Sequence, residues 1–362
     1  MGKNEIVGEF FKQGHLLTDE ALTIIEETGV EEFLARKLPF IIDSHDLHRP
    51  YKVLMNLTYR KKEITTEDFV KFYNSKYEKM KEIITARIQK NFVSLNKIDS
   101  TRSEVHVIGI VKEIKENDQR KVVELEDTTT SIPVILEDLE DLELDDVVAI
   151  RAVSGGKVLF GKKILYPDMP LRNPTIGTGR ACFVSDLRLD ESSSRDIEIF
   201  FEWFSQQDIP YLFVAGRMGD KELFEKYVER YCYIKTIFVI ADDSEYPNMP
   251  QTFGSGRIVS LSNPAMVELG GLKILMCQKA DIKMLKKRYL GKSKTILDED
   301  YLVLTDVPDI VHCGYSDEPY ITNYKSATIV NSGSLLGEFK PIVIDFATRD
   351  VEKINLVNRS IS

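Results

Sequence analysis

The sequence predicts an α/β multidomain protein: N-terminal helices, then a small β-barrel, then a larger α/β domain. Three observations carry that expectation. Helical apolar periodicity dominates residues 1–98, five short strand-like runs crowd into 104–166, and from 178 to 358 buried-type strands alternate with helical patterns. The chain has 362 residues, room for two to three domains of roughly 100–200 residues each. The boundaries read as 1–98 for the helical region, 99–172 for the barrel and 173–362 for the α/β domain.

Composition is that of an ordinary globular protein, 43% hydrophobic and 29% charged. The balance of 48 basic against 58 acidic residues leaves a formal charge of -10, which excludes a chain that coats nucleic acid along its whole surface. A local basic face remains compatible with it. No apolar run approaches the ~20 residues of a membrane helix, and the opening MGKNEIVGEFF carries no secretory apolar core. A soluble, cytoplasmic protein is expected. Cys182, Cys232, Cys277 and Cys313 lie far apart without a C-x-x-C pair, mostly in apolar runs. They read as reduced, buried residues and not as a zinc site.

In the helical region, Ile6, Val7, Phe10 and Phe11 form one apolar face, closed by Gly14. Thr18 is placed to cap a second helix that ends at Gly29. Residues 39–64 read as irregular, with Pro50 inside and the basic Arg60-Lys61-Lys62 near the end. Thr65 and Asp68 then form a capping box. Phe69, Phe72, Tyr73, Tyr77, Met80, Ile83, Ile84 and Ile88 come next at helical spacing, a stripe expected to dock this region onto the next part of the chain.

The runs VHVIGIVKEI, KVVELEDT, SIPVILEDL, DVVAIRAVSG and KVLFGKKILYP are the five strands. Asn117-Asp118 and Gly155-Gly156 supply turns, and Gly109 suits a bulge. Five short strands in one span fit a Greek-key barrel of the OB type. Such barrels bind single strands through exposed aromatics, but only Phe160 and Tyr166 occur here, so protein contact is as good a use. Pro167, Pro170 and Pro174 form a linker. Beyond it, ACFVSD, YLFVAG, TIFVIAD, KILMCQ, YLVLTDVPDIVHCG, SATIVNSGS and PIVIDFAT read as strands ending in polar loops, where α/β sheets place their chemistry. A helix face is marked by Ile197, Phe200, Phe201 and Phe204.

The order of these strand ends resembles the calcineurin-like metallophosphoesterases, whose loops read D-x-H, G-D, G-N-H-D, a lone His and G-H-x-H. With the barrel in front, the whole chain resembles the small subunit of the archaeal family-D DNA polymerase. The resemblance lies in TTEDFVKFYNSKYEKMKEIITAR, VIGIVKEI with VVELEDTTTSIPVIL, LFGKKILYPDMP, and NPAMVELGGLKIL with DYLVLTDVPDIVHCGY and IVNSGS, in order over about residues 60–345. It implies a large polymerising partner subunit, and normally a manganese-dependent 3′–5′ proofreading exonuclease with two metal ions.

The ligand positions depart from that pattern. The D-x-H loop is Asp186-Leu187-Arg188, A-G-D is Ala215-Gly216-Arg217, and the N-H-D loop aligns with Asp243-Ser244-Glu245. Ser244 stands where the resemblance implies the histidine that protonates the leaving group, and a hydroxyl does not do that near neutral pH. Gln278 replaces the lone His, and G-H-x-H is Gly314-Tyr315-Ser316-Asp317. His312, on the strand before, reads as structural. Asp186 is the one surviving carboxylate, Asp243 could in principle ligate a metal, and two fixed cations stand beside them, so the two metals of the manganese type are expected to be absent and no intrinsic activity is expected. Ion pairing of Asp243 and Asp317 with Arg188 and Arg217 would follow naturally.

The functional expectation is therefore a non-catalytic small subunit that braces the large polymerising subunit, with a sliding clamp or primase as further partners and DNA reached through the complex. Two other readings compete: an active exonuclease with rearranged ligands, and a free-standing adaptor of barrel and inactive phosphoesterase. Lys283, Lys286, Lys287, Arg288, Lys292 and Lys294 form a basic run suited either to DNA phosphates or to a solvated face. No P-loop, dinucleotide fingerprint or nucleophile elbow occurs; Gly254-Ser255-Gly256 precedes a strand-like run instead of a helix.

Overall fold

Local capping chemistry sets the helices at the N-terminal end. A computed structural model describes residues 2–30, 33, 38, 40–42, 51–59, 63–117, 120–139, 141–240 and 246–356. Helix α1 (Lys3–Lys12) is followed by strand β1 (Leu16–Leu17) and by α2 (Asp19–Thr28), whose Thr18 hydroxyl accepts the Ala21 N–H at 3.2 Å. Strand β2 (Ile41–Ile42) pairs in parallel with β1. Ile6, Phe10, Ala21, Ile25, Phe33 and Ile42 bury one another in a small core of their own.

The segment read as irregular contains a strand. Residues Tyr51–Asn56 form β3, which adds antiparallel to a sheet of the C-terminal part. Its side chains do not alternate cleanly between apolar and polar, so period-2 patterning could not reveal it. Arg60, Lys61 and Lys62 lie outside the described residues, as do Pro50 and Asp118.

Helix α3 (Thr66–Arg87) has the expected capping box between Thr65 and Asp68. Only part of its aromatic stripe docks. Phe72, Tyr77, Met80 and Ile84 are buried, the last three against Ile108, Val147 and Ala149 of the barrel, while Phe69 and Tyr73 remain exposed.

After a 3-10 turn at Leu95–Lys97, the five expected strands appear as β4 (Glu104–Asn117), β5 (Arg120–Glu126), β6 (Ser131–Leu136), β7 (Val147–Ser154) and β8 (Leu159–Leu165). They close into a barrel of order β4-β5-β6-β8-β7. The first half of β4 pairs with β7 and the second half with β5. Closure removes sheet edges and buries Val107, Val111, Leu125, Val134 and Ile150 inside. The bulge expected at Gly109 falls instead between Val111 and Glu113. Gly109 is there for space, since a Cβ would sit 2.5 Å from Leu125 Cγ.

The C-terminal part continues with β9 (Arg180–Ser185), α4 (Ser194–Gln206), β10 (Tyr211–Ala215), α5 (Lys221–Tyr231), β11 (Thr236–Ile240), β12 (Ile258–Leu261), β13 (Ala265–Leu269), β14 (Leu272–Cys277), α6 (Ile282–Lys287), β15 (Ile310–Cys313), β16 (Pro319–Tyr324), β17 (Ala327–Ser332), β18 (Ile342–Asp345) and β19 (Val351–Lys353). Two six-stranded mixed sheets result, β12-β11-β10-β9-β18-β19 and β16-β17-β15-β14-β13-β3. Side-chain alternation along β9 sends Ala181 and Phe183 between the sheets and Cys182 and Val184 toward the helices. The parallel strands are buried on both faces, so they read as continuous apolar runs. All four cysteines are free and buried.

YLVLTDVPDIVHCG holds a strand only at its end. Leu302, Val303 and Leu304 are buried outside any named strand: Val303 makes an isolated antiparallel bridge with Tyr289, and the Arg288 side chain donates to the Leu304 and Thr305 carbonyls at 2.6 and 2.7 Å. Between the sheets, the Phe183, Phe213 and Phe238 rings stack at 5.0 and 4.6 Å. Phe213→Ala removes the central ring of this column and is expected to cost about 3–5 kcal/mol. Urea unfolding measures it, and a loss below ~1 kcal/mol would show that the column contributes little to stability.

Candidate functional site

Both sheets turn the carboxyl ends of their parallel strands toward one place, where open α/β sheets form clefts. Asp186 follows β9 there, Gly216 and Arg217 follow β10, Gln278 follows β14, Gly314 and Tyr315 follow β15, and Gly333 follows β17. Ser185 ties the layers together. Its N–H donates to the Ser332 hydroxyl at 2.6 Å, and its own hydroxyl donates to the Cys313 carbonyl at 2.7 Å.

Asp186 is the centre of this site. It is buried, with a left-handed backbone at φ 49°. One carboxylate oxygen accepts the Arg217 N–H at 2.9 Å and the other accepts the Tyr315 N–H at 2.5 Å. Burial pushes its carboxyl above the ordinary range, while these amides and the nearby Arg188 guanidinium pull it back. The carboxylate thus staples three strand-end loops together.

The loops leave no room for more. Gly216 has φ 73°, and a Cβ there would lie 2.5 Å from the Asp186 oxygen. A Cβ on Gly314 would lie 2.3 Å from Gly216 Cα. Two loops therefore touch through glycine backbone directly beside the one central carboxylate.

The other sequence-predicted residues surround this staple. The Arg188 N–H donates to the Arg217 carbonyl at 3.0 Å, and its guanidinium reaches Glu191 only at 4.0 Å. Arg217 is exposed, and its guanidinium lies 5.5 Å from the Tyr315 ring centre. Asp317 is exposed on the same loop as Tyr315, and among the described residues the expected pairing of Asp317 with Arg188 or Arg217 is not formed. Exposed carboxylates gain little from such pairs. Asp243 and Ser244 lie outside the described residues. Gln278 keeps its side-chain oxygen buried with no hydrogen-bond partner, while Gly314 N–H donates to its backbone carbonyl at 3.0 Å.

His312 is a core residue, as its strand position implied. It is buried against Phe183 at 5.3 Å and faces the Ser185 hydroxyl at 3.2 Å, and burial pushes its imidazole down to about 3. Among the described residues, no three His, Cys, Asp or Glu side chains come together to hold a metal ion. A pair of divalent ions does not fit the described residues: both Asp186 oxygens are engaged by amides, and the neighbouring side chains bring cations.

The basic run has a destination that neither sequence reading foresaw. It faces the acidic β6–β7 connection of the barrel. Lys283 pairs with Asp141 at 3.0 Å and Lys286 with the same carboxylate at 3.4 Å. Lys287 meets Asp146 at 2.8 Å and Glu143 at 2.9 Å, and Lys292 meets Asp145 at 3.3 Å. Arg288 is buried on the Leu304 and Thr305 carbonyls, and burial pulls its guanidinium down to about 10. Lys294 donates its backbone N–H to Tyr246. The alternating EDLEDLELDD sequence of the connection was the available signal for this seam. Lys76 of α3 completes the junction, buried with its ammonium 3.8 Å over the Tyr289 ring. A separate cleft of about 640 Å³ lies between Leu57–Tyr59, Ile64 and residues 295–301, away from every predicted site residue.

The site and fold define a mixed α/β protein with a closed five-stranded barrel and a strand-end site in which loop amides and glycine backbone pack around Asp186. Over most of its length the chain is similar to archaeal proteins named DNA polymerase II small subunit, in agreement with the resemblance its motifs carry. It is 25% identical to that of Archaeoglobus fulgidus over 406 residues, covering 86% of this chain and 82% of the relative. It is 22% identical to that of Methanothermobacter thermautotrophicus, covering 91% and 93%. The Methanocaldococcus jannaschii protein is 30% identical over 185 residues, 47% of this chain and 30% of the relative. No family model matches the chain. Among solved structures, an archaeal phosphodiesterase is similar over 48% of this chain and 98% of its own, with 12% identity and a TM-score of 0.34. An OBody bound to lysozyme covers 21% and 92%, with 23% identity and a TM-score of 0.19. Both scores are too low to decide a fold. Among the described residues, no helix is long and apolar enough to cross a membrane.

Proposed function

We propose that this protein is a non-catalytic small subunit of a family-D-type DNA polymerase, a cytoplasmic scaffold for the large polymerising subunit. In this reading, residues 1–98 are an N-terminal region, 99–172 an OB-type barrel and 173–362 a calcineurin-like phosphoesterase sandwich that has lost its metals. One observation carries it: the chain is similar over 86% of its length to a named small subunit, while at the positions that the motif resemblance assigns to metal ligands it carries Arg188, Arg217, Gln278 and Tyr315. The staple made by Asp186 supports the same reading, because a carboxylate held by two amides serves structure. DNA is reached through the complex, with a sliding clamp or primase as further partners.

Two measurements test the proposal. Native protein is expected to co-purify with a large polymerase subunit, and its absence would end the scaffold reading. Purified protein with manganese and single-stranded DNA is expected to release no nucleotides. Degradation that disappears in Asp186→Ala would favour the active exonuclease instead.

A further inference from the structure

We propose that the junction of α3, the barrel and α6 is a binding site for one ordered water, which bridges the Lys76 ammonium to the Asp146 carboxylate. This site lies apart from the strand-end loops and depends on no polymerase partner.

Three observations on the described residues meet at one point. First, a cavity of about 10 Å³ opens where the three parts come together. It is lined by Lys76 of α3, by Asp145 and Asp146 just before β7, and by Lys287 and Tyr289 at the end of α6. That is about the space one water needs. Second, Lys76 is only 3% exposed, and among the described residues its ammonium has neither a hydrogen-bond acceptor nor an ion-pair partner. The Tyr289 ring, 3.8 Å away, covers one side of it. An ammonium carries three N–H donors, and a ring face does not satisfy them all. Third, Asp146 has an oxygen to spare. Its Oδ2 takes the Glu143 N–H at 2.8 Å and the Lys287 ammonium at 2.8 Å, while Oδ1 accepts no hydrogen bond among the described residues.

The other acids near Lys76 are already engaged. Asp300 accepts the Tyr289 hydroxyl and the Leu302 N–H, each at 2.9 Å, and Asp145 pairs with Lys292 at 3.3 Å. Burial pulls the Lys76 ammonium below its ordinary range, and Asp300, Asp145 and Asp146 pull it back up. A buried donor without an acceptor is costly. A water accepts from the ammonium and donates to the carboxylate, so one molecule satisfies both groups. An anion in the same space would lie against Asp145 and Asp146, and a metal cation against Lys76 and Lys287. Neutral water is the occupant that meets no repulsion. It links α3 to the barrel through Lys76 and Asp146, and Lys287 carries the chain of contacts on into α6.

The test is crystallography of the full chain at atomic resolution, with neutron diffraction from deuterated crystals. One solvent peak is expected in the cavity, within hydrogen-bond distance of Lys76 Nζ and Asp146 Oδ1. Its oxygen should face the ammonium and one deuterium the carboxylate. Lys76→Met removes the donor and is expected to lose the peak. Lys71→Met, exposed on the same helix, should keep it. A bromide soak separates water from a halide held between the two lysines. An empty cavity in the parent, bromide density inside it, or a direct ion pair of Lys76 with Asp146 would each overturn the proposal. So would a peak bonded to only one of the two groups, or one that survives Lys76→Met unchanged. If Lys76→Met does not fold, the parent's peak and its deuterium orientation decide alone.

Discussion

Asp186→Ala is expected to destabilise the protein by about 2–4 kcal/mol, although the proposed function assigns no reaction to this carboxylate. The substitution leaves the Arg217 and Tyr315 N–H groups without their acceptor in a buried site, at roughly 1–3 kcal/mol for each unsatisfied donor. The glycine contact between the β10 and β15 loops should loosen with it, because Gly216 packs on the carboxylate. Asp186→Asn retains an acceptor and should lose less. The pH dependence has a definite sign. Burial raises the folded carboxyl above its unfolded value, so the folded state binds the proton more tightly. The associated stability is present below the unfolded value and lost as pH rises through the folded one. The deficit of Asp186→Ala relative to the parent should therefore grow as pH falls from neutrality toward 4. Urea unfolding across that range decides it. A neutral alanine variant would mean that the carboxylate is no staple.

Asp146→Ala is expected to cost about 2–4 kcal/mol, and to act on the junction between barrel and sheets and not on either alone. Asp146 and Lys287 are each 9% exposed, and their charged ends are 2.8 Å apart. Removing Asp146 leaves the buried Lys287 ammonium with only the exposed Glu143 carboxylate as its partner, a cost above that of a surface pair. The double change Lys287→Met with Asp146→Leu should recover most of the loss, since a packed apolar pair can replace a buried ion pair. The exposed pair of Lys292 and Asp145 should cost under ~1 kcal/mol when broken. Denaturant unfolding with hydrogen exchange on α6 and on residues 137–146 reads these effects. If the double variant is as unstable as Asp146→Ala, the deficit does not come from an unpaired charge.

The legible parts of the fold were those written in neighbouring residues. The Thr65–Asp68 box predicted its helix because a cap needs only four consecutive positions. The five barrel strands were visible because each carries its own apolar pattern and most end in a turn residue. Strands β13, β16 and β19 and helix α5 carry no such pattern of their own. The first three are short strands of antiparallel pairs that partners complete, and α5 carries only Phe224 and Val228 as fully buried positions, too few for a clear stripe. Strand β3 was hidden because β13 and the Ser262 hydroxyl, which accepts the Leu57 N–H, hold that segment in place from 205 positions away.

In the site the same division holds. By itself the sequence determined that Arg188, Arg217, Gln278 and Tyr315 stand at the strand ends, because strand and loop are contiguous in the chain. It also determined that His312 belongs to a strand core. Only the tertiary structure decided what those residues do. It turned Asp186 from a surviving ligand into a hydrogen-bonded staple and left Asp317 in solvent. It also turned a lysine run into the inner face of a domain junction. The reason is physical: a charge acquires its role from whatever partner and dielectric surround it. For Lys287 that partner is Glu143, 144 residues earlier in the chain, together with Asp146.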